Sequence, residues 1–267
     1  MSHDSRGMFF FNPISNDIIE LPDLLEEHQN YLPFWTFSCP PDSLSSDCFV
    51  IGFEMSGSPP DVYIIKVGET RWTYHDFDGD NQRHFLLSGC NNSVFFRNNT
   101  VYVLGDEGDL GILSIKKNSA AETPVWKFYG KPFSRRKETA IRKIYTVEDV
   151  DNEGMLAVFL TQEEDNVEVW RYKINGRVLK REKITSLDNK TLFVSLGASY
   201  LKPCVAQGLE NKIYFSMFHD NNKGVFYCLR NCKYYSFDYS VNKAYSSPNT
   251  FNLFQRRSCI WIEPEND

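Results

Sequence analysis

Apolar residues in this chain fall in short runs, not in the i, i+3, i+4 stripes of helices. Cys48–Phe53, Val62–Ile65 and Trp72–Tyr74 are followed by Ser93–Phe96, Val101–Leu104 and Leu110–Ile115. Each is rich in Phe, Tyr, Val, Ile or Leu and is bounded by Gly, Asn, Asp or Pro, the pattern of β-strands. Between Ser93 and Ile115 the turns Arg97-Asn98-Asn99 and Asp106-Glu107-Gly108 supply Asn and Gly for the positive φ of tight hairpins. This stretch predicts a three-stranded antiparallel meander. The pattern returns in Met155–Leu160, Val167–Ile174 and Arg177–Ile184, with Asn175-Gly176 as a hairpin turn. Thr191–Leu196, Lys212–Phe218, Gly224–Leu229 and Tyr234–Phe237 complete the predicted strands. Helical signals are few. Pro22–Asn30 predicts a short helical turn, and the polar stretch Ser134–Arg142 predicts a loop.

The strand groups recur from about positions 48, 93, 150 and 191. That spacing, roughly 40–50 residues, is the range of propeller blades. A four-stranded blade needs neighbours to cover both faces, so repetition is expected of it. There is no Trp-Asp dipeptide and no Gly-Gly kelch signature. A sandwich or two stacked β-domains fits the same strand spacing.

Composition narrows the class. Of 267 residues, 42% are apolar and 24% charged, as in folded proteins, so the chain is not globally disordered. Net charge is −6, which argues against a generic nucleic-acid binder, whose surface must displace counterions from phosphates. No apolar run is long enough for a bilayer helix, and the N-terminus lacks a signal peptide. The seven cysteines (39, 48, 90, 204, 228, 232 and 259) are odd in number and scattered. They are expected to be reduced thiols, many of them buried, in a cytoplasmic or nuclear protein. Without a secretory route the sequons at Asn91, Asn98 and Asn189 carry no weight.

Candidate chemistry is sparse. Asp76–Asn81 imitates a calcium loop, but its sixth and twelfth positions are Asn81 and Leu87 instead of Gly and Glu. Cys228 and Cys232 lack two further zinc ligands at suitable spacing and are expected to share one strand face. His75 and His84 lie near Asp76, Asp78 and Asp80, without a nucleophile arranged for them. Arg135-Arg136-Lys137 with Arg142-Lys143 is the one dense basic cluster, expected in a solvated loop. No catalytic, metal or cofactor-binding residue is assigned, and no cofactor is expected.

Several segments, in order, resemble the plant F-box-associated KIB-type β-propeller family. Phe9–Leu24 resembles its Asn-Pro, polar turn, Leu-Pro segment. Asp47–Phe53 is similar to the Cys-containing strand that follows, and Lys66–Phe77 to a segment with Gly and Trp four apart. Ser93–Ile115, Ser186–Tyr200, Asn211–Phe215 and the terminal Trp261–Pro264 continue the order. The resemblance implies an all-β fold over residues 1–267, a single β-propeller of four-stranded antiparallel blades. Residues 1–8 and 265–267 are then flexible ends. Trp72, Trp126 and Trp170 would cover neighbouring blades, and Trp261 would lie on a closing strand.

The family's propeller often follows an F-box, which docks on a Skp-type adaptor of a cullin ubiquitin ligase. The resemblance thus implies a non-enzymatic protein-interaction module that recruits substrates or regulates the ligase. This chain begins almost at the Asn-Pro segment, which leaves no room for an F-box and predicts an incomplete first blade. Leu21-Pro22-Asp23-Leu24-Leu25 imitates an F-box core, but Pro40 and Pro41 would break the helix an F-box needs downstream. The implied partner is therefore an unidentified protein, with a Skp-type adaptor only where an upstream F-box exists, and neither nucleic acid nor membrane. Two alternatives remain: a truncated family member without independent function, and a propeller enzyme with its site in a central channel.

Overall fold

The computed structural model describes residues 8–12, 15–24, 34–39, 48–54, 60–77, 94–97, 99–105, 108–115, 123–130, 141–152, 154–161, 167–195, 199–219, 223–236 and 244–245. An N-terminal ribbon pairs β1 (Phe9–Phe11) with β2 (Ile18–Glu20). Sheet I runs β3 (Phe34–Phe37), β4 (Phe49–Glu54), β5 (Asp61–Lys66), β6 (Thr73–His75) in spatial order. Sheet II contains β7 (Val94–Arg97), β8 (Thr100–Leu104), β9 (Leu110–Ser114) and β10 (Val125–Tyr129), again neighbour to neighbour. Sheet III contains β11 (Ile141–Asp149), β12 (Gly154–Thr161), β13 (Val167–Asn175) and β14 (Val178–Ile184). Sheet IV adds β15 (Lys190–Val194), β16 (Tyr200–Pro203), β17 (Lys212–His219), β18 (Lys223–Cys228), β19 (Lys233–Ser236) and β20 (Ala244–Tyr245). Its spatial order is β16-β15-β17-β18-β19-β20.

Turn chemistry sets these hairpins. Asn99 (φ 58°) closes β7 onto β8, and Gly108 (φ 79°) precedes β9, with its N–H donating to the Gly105 carbonyl at 2.9 Å. β13 and β14 are joined by Gly176-Arg177, with Asn175 paired to Val178 and Gly176 at φ 61°. Glycine at the first central position suits a two-residue hairpin, whose twist must match the strands it joins.

The chain divides into two compact units, Met1–Cys90 with Phe96–Tyr102 and Gly111–Lys127, and Asn91–Phe95 with Val103–Leu110 and Phe128–Asp267. In the first, the ribbon packs on sheet I: Leu21, Val50 and Ile65 form a core with Met8, Phe10, Trp35, Val67 and Trp72 against it. The Trp72 indole N–H donates to the Pro22 carbonyl at 2.6 Å, and Trp72 meets Trp35 edge-on at 5.4 Å. Trp126 of β10 lies against Phe53 and Phe77, with centroids 6.2 and 6.3 Å away.

In the second unit one core joins sheets III and IV. Tyr145, Val147, Leu156, Val158, Val167 and Val169 from sheet III meet Leu192, Val194, Ile213, Phe215, Val225, Tyr227 and Tyr234 from sheet IV. The opposite face of β12 is buried too, since all six residues from Met155 to Leu160 are buried. β4 and β5 each bury five consecutive residues. A two-layer sandwich leaves one face of each sheet to solvent and makes burial alternate. Burial on both faces is what a blade between two neighbours requires.

Two expectations need correction. The repeats do not start at 48 and 150, because β3 and β11 precede them; the sheets begin at Phe34, Val94, Ile141 and Lys190. The stretch Ser134–Arg142 is also not all loop, since β11 begins at Ile141 and bulges before Lys143. Residues 25–30 of the expected helical turn, the cluster Arg135–Lys137 and the Trp261 strand lie outside the described residues.

Sheet IV departs from a uniform four-stranded antiparallel blade. β15 pairs in parallel with β17, with Leu192 opposite Ile213 and Val194 opposite Phe215. The cause is β16, which folds back antiparallel on β15, so the chain returns across the sheet before β17.

Candidate protein-interaction surface

One end of sheet IV gathers three connections: Thr185–Asn189 before β15, Cys204–Asn211 before β17, and Leu229–Cys232 between β18 and β19. Asn211 ties them together. It sits at φ 61°, a conformation that Asn tolerates, and is only 5% exposed. Its side-chain carbonyl accepts the Leu187 N–H at 2.6 Å and the Ser186 hydroxyl at 3.0 Å. Its amide donates to the Asp188 carbonyl at 3.2 Å, and its backbone carbonyl accepts the Leu229 N–H at 3.0 Å. Leu187 and Leu229 plug into the core below, which fixes two of the three connections from beneath.

Further hydrogen bonds hold the middle connection. The Cys204 N–H donates to the Asn189 carbonyl at 2.9 Å, and the Thr191 hydroxyl donates to the Leu209 carbonyl at 2.9 Å. Glu210 accepts the Gly208 N–H at 2.7 Å and faces Arg230 at 3.3 Å. Backbone N–H groups of Glu210 itself and of Gly208, then Arg230 and Lys212, hold its carboxyl below the usual range.

The result is an open cleft of about 550 Å³, lined by Asp188, Asn189, Val205, Gln207, Glu210 and Arg230 among others. Val205 is 91% exposed, and the Arg230 side chain is 65% exposed. Hydrogen bonds to the backbone fix the frame, while an apolar side chain and a guanidinium project from it. Both features suit contact with another protein, and a preordered loop loses little entropy on binding.

A second polar cluster lies in sheet I. Asp61, 3% exposed, accepts the Tyr74 hydroxyl at 2.9 Å and the Phe77 N–H at 2.8 Å. Tyr63 donates to Glu54 at 3.1 Å. Burial first, and these carboxylates second, push both phenols above their ordinary range, so both remain donors. The cluster anchors the end of β6, with Asp61 and Tyr63 buried and the Tyr74 ring partly exposed above them.

The residues weighed from sequence do not converge. His75 is buried on β6 opposite Val62, and Asp76 beside it is exposed. His84 and 78–81 lie outside the described residues. Cys228 ends β18, but Cys232 lies in the following turn at φ 57° and is exposed, so the two thiols do not share a strand face. The turn forces this, as the Cys232 N–H closes it onto the Cys228 carbonyl at 2.9 Å. Of the five described thiols only Cys48 is buried; Cys39, Cys204 and Cys228 are half-buried and Cys232 is exposed, so the expectation that many are buried does not hold among them. Among the described residues no group of three His, Cys, Asp or Glu side chains is placed to hold a metal, and no helix is long and apolar enough to cross a membrane. Sequence reading missed Asn211. Its signal was an Asn directly before a strand that begins at Lys212, where a positive-φ turn residue belongs.

Antiparallel blades buried on both faces, with a tied loop cluster at one end, define a β-propeller scaffold. The chain belongs to the KIB1-4 beta-propeller family, whose profile matches residues 1–241. It is 27% identical over 271 residues to the F-box protein At4g00893 of Arabidopsis thaliana, covering 98% of this chain and 63% of that protein. It is 26% identical over 213 residues to the F-box protein At1g49360 of the same plant, covering 78% of this chain and 39% of that protein. The chain thus spans less than two thirds of the length of these relatives.

Proposed function

We propose that this chain is a non-enzymatic protein-recognition propeller, folded as one domain over residues 1–267, that selects substrates or regulators of an F-box ubiquitin-ligase system. The observation that carries this reading is the loop cluster tied by Asn211, which presents Val205 and Arg230 on a preordered frame. Kinship with F-box proteins supports the pathway. The recruited protein offers an acidic side chain to Arg230 and an apolar one to Val205. A Skp-type adaptor joins through an F-box wherever the propeller is linked to one.

The test is a quantitative pull-down from plant cells with the full chain as bait. Specific partners are expected with the wild type and lost with Arg230→Glu. Partners retained by Arg230→Glu would remove this surface from the proposal. The single-domain reading predicts one calorimetric unfolding transition, and two resolved transitions would contradict it.

A further inference from the structure

We propose that Cys39 and Cys48 are a modification site, a dithiol that closes into a cross-strand disulfide when a peroxide oxidises the half-exposed Cys39. β3 and β4 pair Phe34 with Phe53, Trp35 with Gly52, Thr36 with Ile51 and Phe37 with Val50. The ladder ends at Phe37 and Val50, and beyond it the chain bends at Ser38 and Cys39, which brings Cys39 beside Cys48.

The Ser38 N–H donates to the Phe49 carbonyl at 2.9 Å, and the Phe49 N–H is taken up by the Ser38 hydroxyl at 2.8 Å. These two bonds hold Ser38 against Phe49 past the end of the ladder, so the residues that follow, Cys39 and Cys48, lie side by side. A disulfide spans Cα separations of roughly 4.4–6.8 Å, a range that residues facing each other on neighbouring strands meet.

Side-chain geometry agrees. The Cys48 thiol donates to the Cys39 carbonyl at 3.0 Å, and burial pushes this thiol up to about 11, so it attacks as the resolving thiol only once Cys39 is oxidised. The Ser38 hydroxyl lies 3.8 Å from the Cys39 sulfur, placed to donate to it. Both residues are thiols, Cys48 wholly buried and Cys39 half-exposed. Access therefore orders the chemistry. Peroxide meets the Cys39 sulfur, which loses two electrons and becomes a sulfenic acid, while the peroxide is reduced to water. The Cys48 sulfur then attacks the Cys39 sulfur. The S–S bond forms, the S–OH bond breaks, and the hydroxyl leaves as a second water with the Cys48 proton. A reduced thiol such as glutathione reverses the bond by exchange.

The full chain is treated with one equivalent of hydrogen peroxide, alkylated and cleaved before aspartate. Asp42 and Asp47 lie between the two cysteines, so only a disulfide keeps their peptides together. The expected product is the Cys39–Cys48 linked pair, two mass units below the reduced sum, at least tenfold above any other cysteine pair. Oxidation should raise the unfolding midpoint by roughly 5 °C, because it closes a short loop, and glutathione should return it. Cys39→Ser should abolish the link and the shift while Cys204→Ser keeps both. As Cys39 is half-exposed, its replacement tests the pair without emptying a core site. A Cys39 that proceeds to sulfinic acid with Cys48 still alkylated after unfolding, or that links mainly to another cysteine, would overturn the proposal.

Discussion

Strand β12 buries every residue from Met155 to Leu160, while the Cys204–Asn211 connection leaves Val205 91% exposed. The strand is held by apolar contact on two faces. The connection is held by hydrogen bonds to its backbone, and Asn211 ties it to the Thr185–Asn189 connection beside it. Contact energy in the strand is spread over many residues, and a neighbour can partly absorb a small change. Order in the connection comes from a few polar groups, and of the side chains displayed Val205 is 91% exposed while Arg230 pairs with Glu210. The sheets therefore supply stability, whereas the connections can vary in what they display at small cost to the fold.

Phe215, 1% exposed in the core between sheets III and IV, should cost roughly 3–5 kcal/mol when replaced by Ala, measured by urea unfolding. A loss below about 1 kcal/mol would mean that this core does not carry the second unit. Next comes the tie itself. Asn211→Ala leaves the Leu187 N–H buried without its acceptor and should cost roughly 2–3 kcal/mol. Asn211→Asp keeps an acceptor and should cost less; equal losses would show that backbone conformation, not the bonds, dominates.

Gly52→Ala comes third. A Cβ there would lie 2.5 Å from the Trp35 ring, so the half-buried indole must move, at roughly 1–3 kcal/mol. The smallest effect is acidic. The folded pKa of Glu210 is depressed, so its contribution is present above the unfolded value of about 4.3 and fades as pH falls through the folded value. The Gly208 amide resonance, followed by NMR, should therefore titrate with a midpoint below that of a free glutamate, and a midpoint at or above it would remove the bond.

Much of the fold was legible because strands and turns announce themselves locally. Asn99, Gly108 and Gly176 were placed as turn residues, and all three have positive φ. β11 was missed because its buried positions include Lys143, Thr146 and Asp149, so polarity masks the pattern. Lys143 shows the cost, its ammonium pushed below its ordinary value by burial. Asp149 is buried against Arg171 at 2.9 Å, a partner twenty-two residues away that local reading cannot supply. The parallel pairing of β15 with β17 was hidden for a similar reason, since register across a returning chain is set by tertiary packing. The interaction surface was least legible. Val205 and Asn211 lie in one unremarkable connection and Arg230 in another, and only the fold brings the two together.

The most direct test of the account is one bait pair. Val205→Asp with Arg230→Glu in the full chain should move the unfolding midpoint by no more than about 2 °C, because both side chains are exposed. The same double variant should lose the partners that the wild type enriches by at least tenfold in the quantitative pull-down. A double variant that folds as the wild type does and still enriches the same partners would place recognition elsewhere on the propeller and contradict the account.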